Sequence, residues 1–405
     1  MEHVHGPACE APEVSEHRGV ELVSYHCLQG RPGFKLALLH HGSRWLLYMG
    51  HIWHAGWSVL DVTDASSPRF VGFLEGPPDT WTLQVQVADG LMLTALEKPP
   101  PGWGADPGAM SEEGCLIWEL SDPERPTLAG TYRTGGSGTH RNFYAGGDYA
   151  YMAANVEGTE GRLLTIVDVS NPTSPTEVAR WGWPNQNEGG HFASYMHGPA
   201  HVEGNRAYVS YGKVGALILD VSNPREPSLI SHLSLGHLGS RIGCHTALPY
   251  LDSRYLLVSG EAIDEGRDGE WNYSFIVDIQ DERAPRVIGS LPTPRPVDGN
   301  QSYWDKGGRF GIHNQHHQQG QKHLFPNGDM VFTTFFNAGM RVFDISDPYE
   351  PVERAYFVPG APKERRGPLP SNLVTQFEDV LVDARGYIYC TDKNHGLFVL
   401  RMANE

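Results

Sequence analysis

The sequence predicts an all-β chain folded as a seven-bladed β-propeller, closed by pairing an N-terminal strand with the last blade. Three observations predict it. A strand-and-turn signature recurs roughly every 50 residues, the period of a propeller blade. Short apolar runs alternate with Gly, Asn and Pro turns along nearly the whole chain. The last unit lacks an outer strand, and an unmatched strand precedes the first.

Residues 196–231 show the unit most plainly. Glu203-Gly204-Asn205, Tyr211-Gly212-Lys213 and the stretch from Asn223 to Pro227 separate four short apolar runs, which reads as a four-stranded antiparallel meander. The third run, Ala216-Leu217-Ile218-Leu219, is apolar throughout, as a strand covered on both faces should be. A lone sheet cannot bury both faces, so it stacks on copies of itself. The copies are Val59-Leu60-Asp61-Val62, Ile117-Trp118-Glu119-Leu120, Val167-Asp168-Val169, Val277-Asp278-Ile279 and Phe343-Asp344-Ile345. A Pro-containing turn follows each. The seventh unit, residues 377–402, has only inner strands, and residues 20–25 form an orphan strand. Pairing the two closes the ring and removes its exposed edges.

The repeated L-x-V-D-V-S-N-P string resembles the LVIVD-repeat family of propellers, over Leu36 to Met402. The resemblance implies the fold and leaves the activity open, because propellers host many functions.

Residues 19–405 are expected to form one domain, with residues 1–18 as a flexible lead-in. An apolar content of 40% with 47 Gly and 30 Pro suits a turn-rich β globule. No apolar run is long enough to cross a bilayer, and the first residues lack a basic start and an apolar core, so neither a membrane partner nor a signal peptide is expected. Cys9, Cys27, Cys115, Cys244 and Cys390 are odd in number and in no paired spacing, which suits reduced thiols and a cytoplasmic location. A net charge of −17 without a dense basic run excludes a nucleic-acid partner. The oligomeric state leaves no mark on the sequence.

The connections are unequal. Turns such as Glu203-Gly204-Asn205 are short, while residues 97–113, 183–196, 262–271, 295–312 and 360–375 make long excursions that the strand order places on one face. Long loops on one side of a rigid scaffold are where binding and catalysis concentrate. Trp53, Trp57, Trp103, Trp271, Tyr273, Tyr303 and Trp304 crowd that side, suited to walling a pocket for a small organic molecule.

Aligning the blades on their first hairpins exposes a second regularity. Ten residues before Ala150, Ala207 and Tyr255 stand His140, His197 and His245. The same count from Ile388 reaches Glu378. Blade six opens Ile312-His313-Asn314-Gln315-His316-His317, where either His313 or His317 is the equivalent residue. Strand alternation puts those two on one face and His316 on the other; His201 stands in the same relation to His197. Innermost strands converge on the propeller axis, so register-matched histidines meet there. Any one of them alone would read as a capped strand-end residue. Together they would repel if protonated and lack partners if neutral, and a divalent transition metal resolves both problems. Iron is the first choice, with manganese, copper or zinc as alternatives. Glu378 is placed to orient a ligand, and Glu261 and His54, at the same mouth, are the candidate acid–base groups.

The activity expected from this site is an oxygenase or oxidase acting on a small aromatic or cyclic organic substrate. Four imidazoles from separate blades are similar in architecture to the iron site of carotenoid-cleavage oxygenases, and the blade pattern is similar to the copper-associated selenium-binding proteins with thiol oxidase activity. Two alternatives stand beside it. Gln315-His316-His317 resembles the manganese site of propeller oligosaccharide lyases, which implies a lyase or isomerase that removes a proton next to a carbonyl or carboxylate, with Glu261 or His54 as base. The other alternative is a ligand-binding propeller whose histidines are structural.

Overall fold

The computed structural model describes residues 9–106, 108–186, 195–268, 272–297 and 302–403. They form seven antiparallel sheets arranged as the blades of a propeller. Blade one is Gly33–His41, Arg44–His51, Gly56–Asp61 and Arg69–Glu75. Blade two is Val85–Ala88, Leu91–Leu96, Gly114–Glu119 and Thr127–Tyr132. Blade three is Gly135–Phe143, Tyr149–Val156, Leu163–Asp168 and Thr176–Trp181. Blade four is Ala200–Glu203, Arg206–Tyr211, Gly215–Asp220 and Ser228–Ser234. Blade five is Ile242–Tyr250, Tyr255–Glu261, Ser274–Asp278 and Arg286–Ser290.

Each repeated signature is a third strand, and its polar residues have a local task. Asp61, Asp168, Asp220, Asp278 and Asp344 each accept a hydrogen bond through Oδ1 from the backbone N–H two residues on, at 2.8–3.1 Å. A second Asx turn follows, with Asp64, Asp122, Asn171, Asn223, Asp281 and Asp347 accepting in the same way. The Asp and Asn of the repeat therefore hold the turn into the outer strand. Apolar residues pack between blades: Trp57, fully buried, meets Trp118 of blade two edge-on at 5.6 Å between ring centres. It belongs to the core, not to a pocket wall.

Blade six departs from the pattern. Its strands are Met330–Thr334, Met340–Asp344 and Val352–Pro359. The innermost position is taken by residues 313–317, joined through a single bridge between Gln315 and Thr333 and by bonds such as His313 N–H to the Thr334 carbonyl at 2.9 Å. Val14–Arg18 adds a further strand on the outside of Val352–Pro359. Part of the expected lead-in is thus built into the sheet, because its backbone satisfies an otherwise open edge.

Blade seven is Phe377–Val382, Tyr387–Asp392 and Gly396–Met402, with Val20–His26 as its outer strand. The closure is as the orphan strand predicts: Val20 pairs with Met402 and His26 with Leu397. Gly19, at φ +65°, turns the chain from the edge of blade six to that of blade seven. Cys9 and Cys27 form a disulfide, so the expectation of five reduced thiols is corrected. Cys115, Cys244 and Cys390 are free and buried. No helix of the described residues is long and apolar enough to cross a membrane.

Candidate metal centre

Four imidazoles stand in succession around the axis. Ring centres are 5.0 Å apart from His140 to His197, 5.4 Å from His197 to His245 and 4.8 Å from His245 to His313. They come from blades three to six, and all four are buried. The blade-six member is His313. His317 lies with His201, ring centres 4.8 Å apart, in a second layer. The four-residue spacing of each pair sets the two layers about 13 Å apart at ~3.3 Å per residue. The ten-residue count from the second strand falls short of both histidines, and the fewest inserted residues would favour His317, because residues 318–329 form an extended hairpin before Met330. His316 is structural, bonded to the Phe325 carbonyl at 2.7 Å and to the Val382 N–H at 3.1 Å.

Glu261, at the end of a blade-five strand, supplies the carboxylate at the middle of the arc. Its Oε2 accepts from His197 Nε2 at 2.8 Å and lies 3.6 Å from His245 Nε2; its Oε1 lies 3.6 Å from His313 Nε2. One ligand atom each from His197, His245 and Glu261 falls within 4.8 Å of the others. Outer partners fix the other rings. His313 Nδ1–H donates to the Glu378 carbonyl at 2.8 Å and His140 Nδ1–H to Glu97 Oε2 at 2.6 Å. Anchoring Nδ1 in this way leaves the Nε2 lone pair for a ligand, the arrangement of metal-bound histidines.

Electrostatics match this protonation pattern. Burial drives His245 and His313 well below the usual histidine range, and His140 down to about 3, so the rings are neutral near pH 7. Burial alone would raise Glu261, but His245, His197 and His313 hold it well below the usual carboxylate range. Glu97 is likewise opposed by burial and held at about 2 by Arg162 and His140. Glu378 is raised, burial outweighing the pull of Lys393 and Arg309.

The sequence reasoning passed over a ring of cations. Arg309 Nη1 donates to Glu261 Oε1 at 2.7 Å, Arg162 Nη2 to Glu97 Oε1 at 2.7 Å, and Lys393 Nζ lies 3.0 Å from Glu378 Oε1. Arg141, next in sequence to His140, puts Nη2 3.3 Å from His245 Nε2 and 3.4 Å from His313 Nε2. The signal in the sequence is a charged residue, Arg141, inside the inner strand Gly135–Phe143.

Above the cluster opens a cleft of about 290 Å³, whose lining includes Trp103, Arg241, Asp264, Arg309, Pro370 and Lys393. Trp103, Asp264, Arg309 and Pro370 come from the long excursions, as the loop lengths predict, Lys393 comes from the mouth of blade seven, and Arg241 comes from the link between blades four and five. Trp103 stacks on Trp53 at 6.5 Å. Trp304 packs on Phe310 at 4.9 Å instead of lining this cleft, and Trp271 lies outside the described residues. His54 is not brought to the cluster. Burial, Arg31 and Arg366 lower its pKa, and no bond links it to Glu261 or the four rings. His51 and His395 are structural, held by the Pro32 carbonyl and by Asp392.

Fold and site together define a β-propeller with an imidazole–carboxylate cluster on its axis. Blades three and four carry LVIVD repeats: the LVIVD-repeat family model matches residues 137–181 and 200–234. No curated protein is detectably similar in sequence. Among solved structures, the periplasmic gluconolactonase PpgL of Pseudomonas aeruginosa is similar at 12% identity and a TM-score of 0.56, over 88% of this chain and 99% of that one. A hypothetical selenium-binding protein from Sulfolobus tokodaii is similar at 12% identity and 0.55, over 95% and 90%. The WD40 repeats of RRP9 are as similar, at 9% identity and 0.56, over 98% and 100%. Likeness at this level shows the propeller fold alone.

Proposed function

We propose that the protein is a metal-dependent enzyme, with iron held by His197, His245 and Glu261 and with His313 as a further donor, and that it acts as an oxygenase or oxidase on a small organic substrate entering through the cleft. The observation that carries the reading is the donor set. Two imidazoles and one carboxylate within 4.8 Å match the facial triad of non-haem iron oxygenases. A bound iron would supply redox chemistry with O₂; Glu378 and Glu97 would hold His313 and His140 in their tautomers. Arg309 and Lys393, on the cleft floor, suit a substrate with a carboxylate or other acidic group.

One observation favours the lyase or isomerase reading as a second choice. Burial, with Arg309 adding to it, lowers Lys393 to about 8 against the pull of Glu378. A buried amine titrating near neutrality is a general base for a carbon-bound proton. It replaces Glu261, which is bonded to Arg309 and His197, and His54, which lies apart.

Metal quantification on protein purified without a tag tests both readings. One iron per chain with O₂-dependent turnover is expected. Stoichiometric manganese or zinc with O₂-independent turnover favours the lyase, and failure to hold any of these metals after loading sinks both. A cytoplasmic location would require the Cys9–Cys27 pair to be reduced in the cell, so the disulfide weighs towards an oxidising compartment.

A further inference from the structure

Beneath the four-histidine layer lies a second, small chamber on the axis, of about 30 Å³. Its lining includes Gln84, Gln86, Arg141, Asn142, Gln315 and His317. It holds a concentration of buried polar atoms with no hydrogen-bond partner among the described residues: Gln84 Oε1, Gln86 Oε1, Asn142 Oδ1, Gln315 Oε1, His317 Nδ1 and Arg141 Nε. Each of these side chains is more than nine-tenths buried. Buried polar groups are ordinarily satisfied, so such a group of orphans in one chamber calls for an occupant.

The amide orientations are not arbitrary. Gln84 Nε2 donates to the Asn142 carbonyl and Gln86 Nε2 to that of Val85, both at 3.0 Å. Gln315 Nε2 donates to the His313 carbonyl at 3.0 Å and to Ser259 Oγ at 3.1 Å, and Asn142 Nδ2 to Cys115 Sγ at 3.4 Å. With each nitrogen pinned, four carbonyl oxygens are left over, all acceptors. Flipping any of the three glutamine amides would set its oxygen against a backbone carbonyl, another acceptor.

Arg141 belongs to both layers. Its Nη2 donates to the Nε2 lone pairs of His245 and His313 at 3.3 and 3.4 Å. Those lone pairs are the ones a metal would take at about 2.1 Å, so guanidinium and cation exclude each other. Arg141 makes no ion pair with a carboxylate among the described residues, although its neighbours Arg162 and Arg309 both do. A guanidinium carries five N–H donors in a planar fork.

We infer that Arg141 has two seats: it caps the imidazole lone pairs of His245 and His313 while these hold no cation, and it withdraws onto the amide oxygens of Gln84, Gln86, Asn142 and Gln315 when a metal binds. The inference rests on the metal reading above. It accounts at once for the surplus acceptors, for the unpaired Nε, and for a cation lodged among ligand nitrogens. The chamber is then a binding site for a side chain of this same protein, and metal affinity depends on residues that never touch the metal.

Co(II) titration of the chelator-stripped full chain, followed by its visible absorption, tests this through a double-mutant cycle. Arg141→Met is expected to tighten Co(II) binding at least tenfold by removing the competitor. Gln84→Leu with Gln315→Leu is expected to weaken it by at least about tenfold, the factor attached to each buried hydrogen bond lost. In the Arg141→Met background the same glutamine changes are expected to have no effect. Equal glutamine effects in both backgrounds, or none in either, overturn the inference and leave the chamber a site for water only. Absence of Co(II) binding in both the wild type and Arg141→Met sinks the metal reading and this inference with it. Should the paired glutamine variant misfold, Gln86→Met carries the same cycle.

Discussion

His197 and Glu261 are joined across two blades by a 2.8 Å bond from Nε2 to Oε2, and the same carboxylate accepts from Arg309 at 2.7 Å through its other oxygen. One side chain thus links blade four, blade five and the loop entering blade six while standing where a ligand to a metal would. Glu261→Gln separates its two contributions. The amide weakens one charged partner of buried Arg309, which keeps Glu378 at 3.4 Å and the Ala262 carbonyl at 3.0 Å, so a loss of about 1–3 kcal/mol in unfolding free energy is expected. Metal content after loading should fall below a tenth of the wild-type value. Urea unfolding and metal analysis of the same preparation check both, and a variant that keeps its metal removes Glu261 from the ligand set.

The Cys9–Cys27 disulfide ties the chain just before Val14–Arg18 to the end of the strand that closes blade seven. Its sequence separation is 18 residues, and a loop of that size carries about 3 kcal/mol in the chain-entropy account. Cys9→Ser should therefore lower stability by up to that amount. Its hydrogen exchange should rise along Val14–Arg18, with the inner strands unchanged. Equal exchange in both proteins would mean that the added strand holds without the bridge.

Much of the ring was legible because the blade repeat is local. Asp61, Asp168, Asp220, Asp278 and Asp344 write the same turn five times, and the orphan strand from Val20 points to its own partner. The arc of His140, His197 and His245 was legible for a related reason: a fixed hairpin length keeps their register. Where blade six lengthens its hairpin, the count fails and His317 competes with His313. Val14–Arg18 was hidden because an outer strand needs little apolar pattern when one face meets solvent. Arg141, Arg309, Glu97 and Lys393 were hidden more deeply. They become a site only once four blades and two loops converge, and no spacing in the sequence announces that.

Gly19 sits at φ +65° in the turn between two edge strands, and a Cβ there would lie 2.8 Å from the Arg354 carbonyl oxygen. An L-residue in this conformation costs about 1–2 kcal/mol even in open space, and here a backbone oxygen must also shift. Gly19→Ala is expected to lower stability by at least that amount and to loosen both edges together. Gly42, at φ +61° with nothing within 4 Å, is the control, where alanine should cost only the backbone term. Denaturant midpoints of the two variants measure the difference, and equal losses would show that the contact at Arg354 relaxes freely.

Acid should destabilise the fold through histidines outside the cluster as well as within it. His51 is bonded to the Pro32 carbonyl at 3.0 Å and to Ser58 Oγ at 2.8 Å, and burial brings it to about 3. His316 is brought to about 3 by the same cause. Unfolded histidine titrates near ~6.5, so between about pH 6.5 and 3 the unfolded chain binds protons that the native one refuses. Stability therefore rises with pH through that window and is lost as pH drops through it, by ~1.4 kcal/mol per pH unit for each fully responding histidine. Unfolding midpoints at pH 7.5, 6 and 5 should decline steadily, and His51→Asn should flatten the slope by about one histidine's share. A flat profile from pH 7.5 to 5 would mean that the buried rings are charged in the native state, against the bonds that hold them.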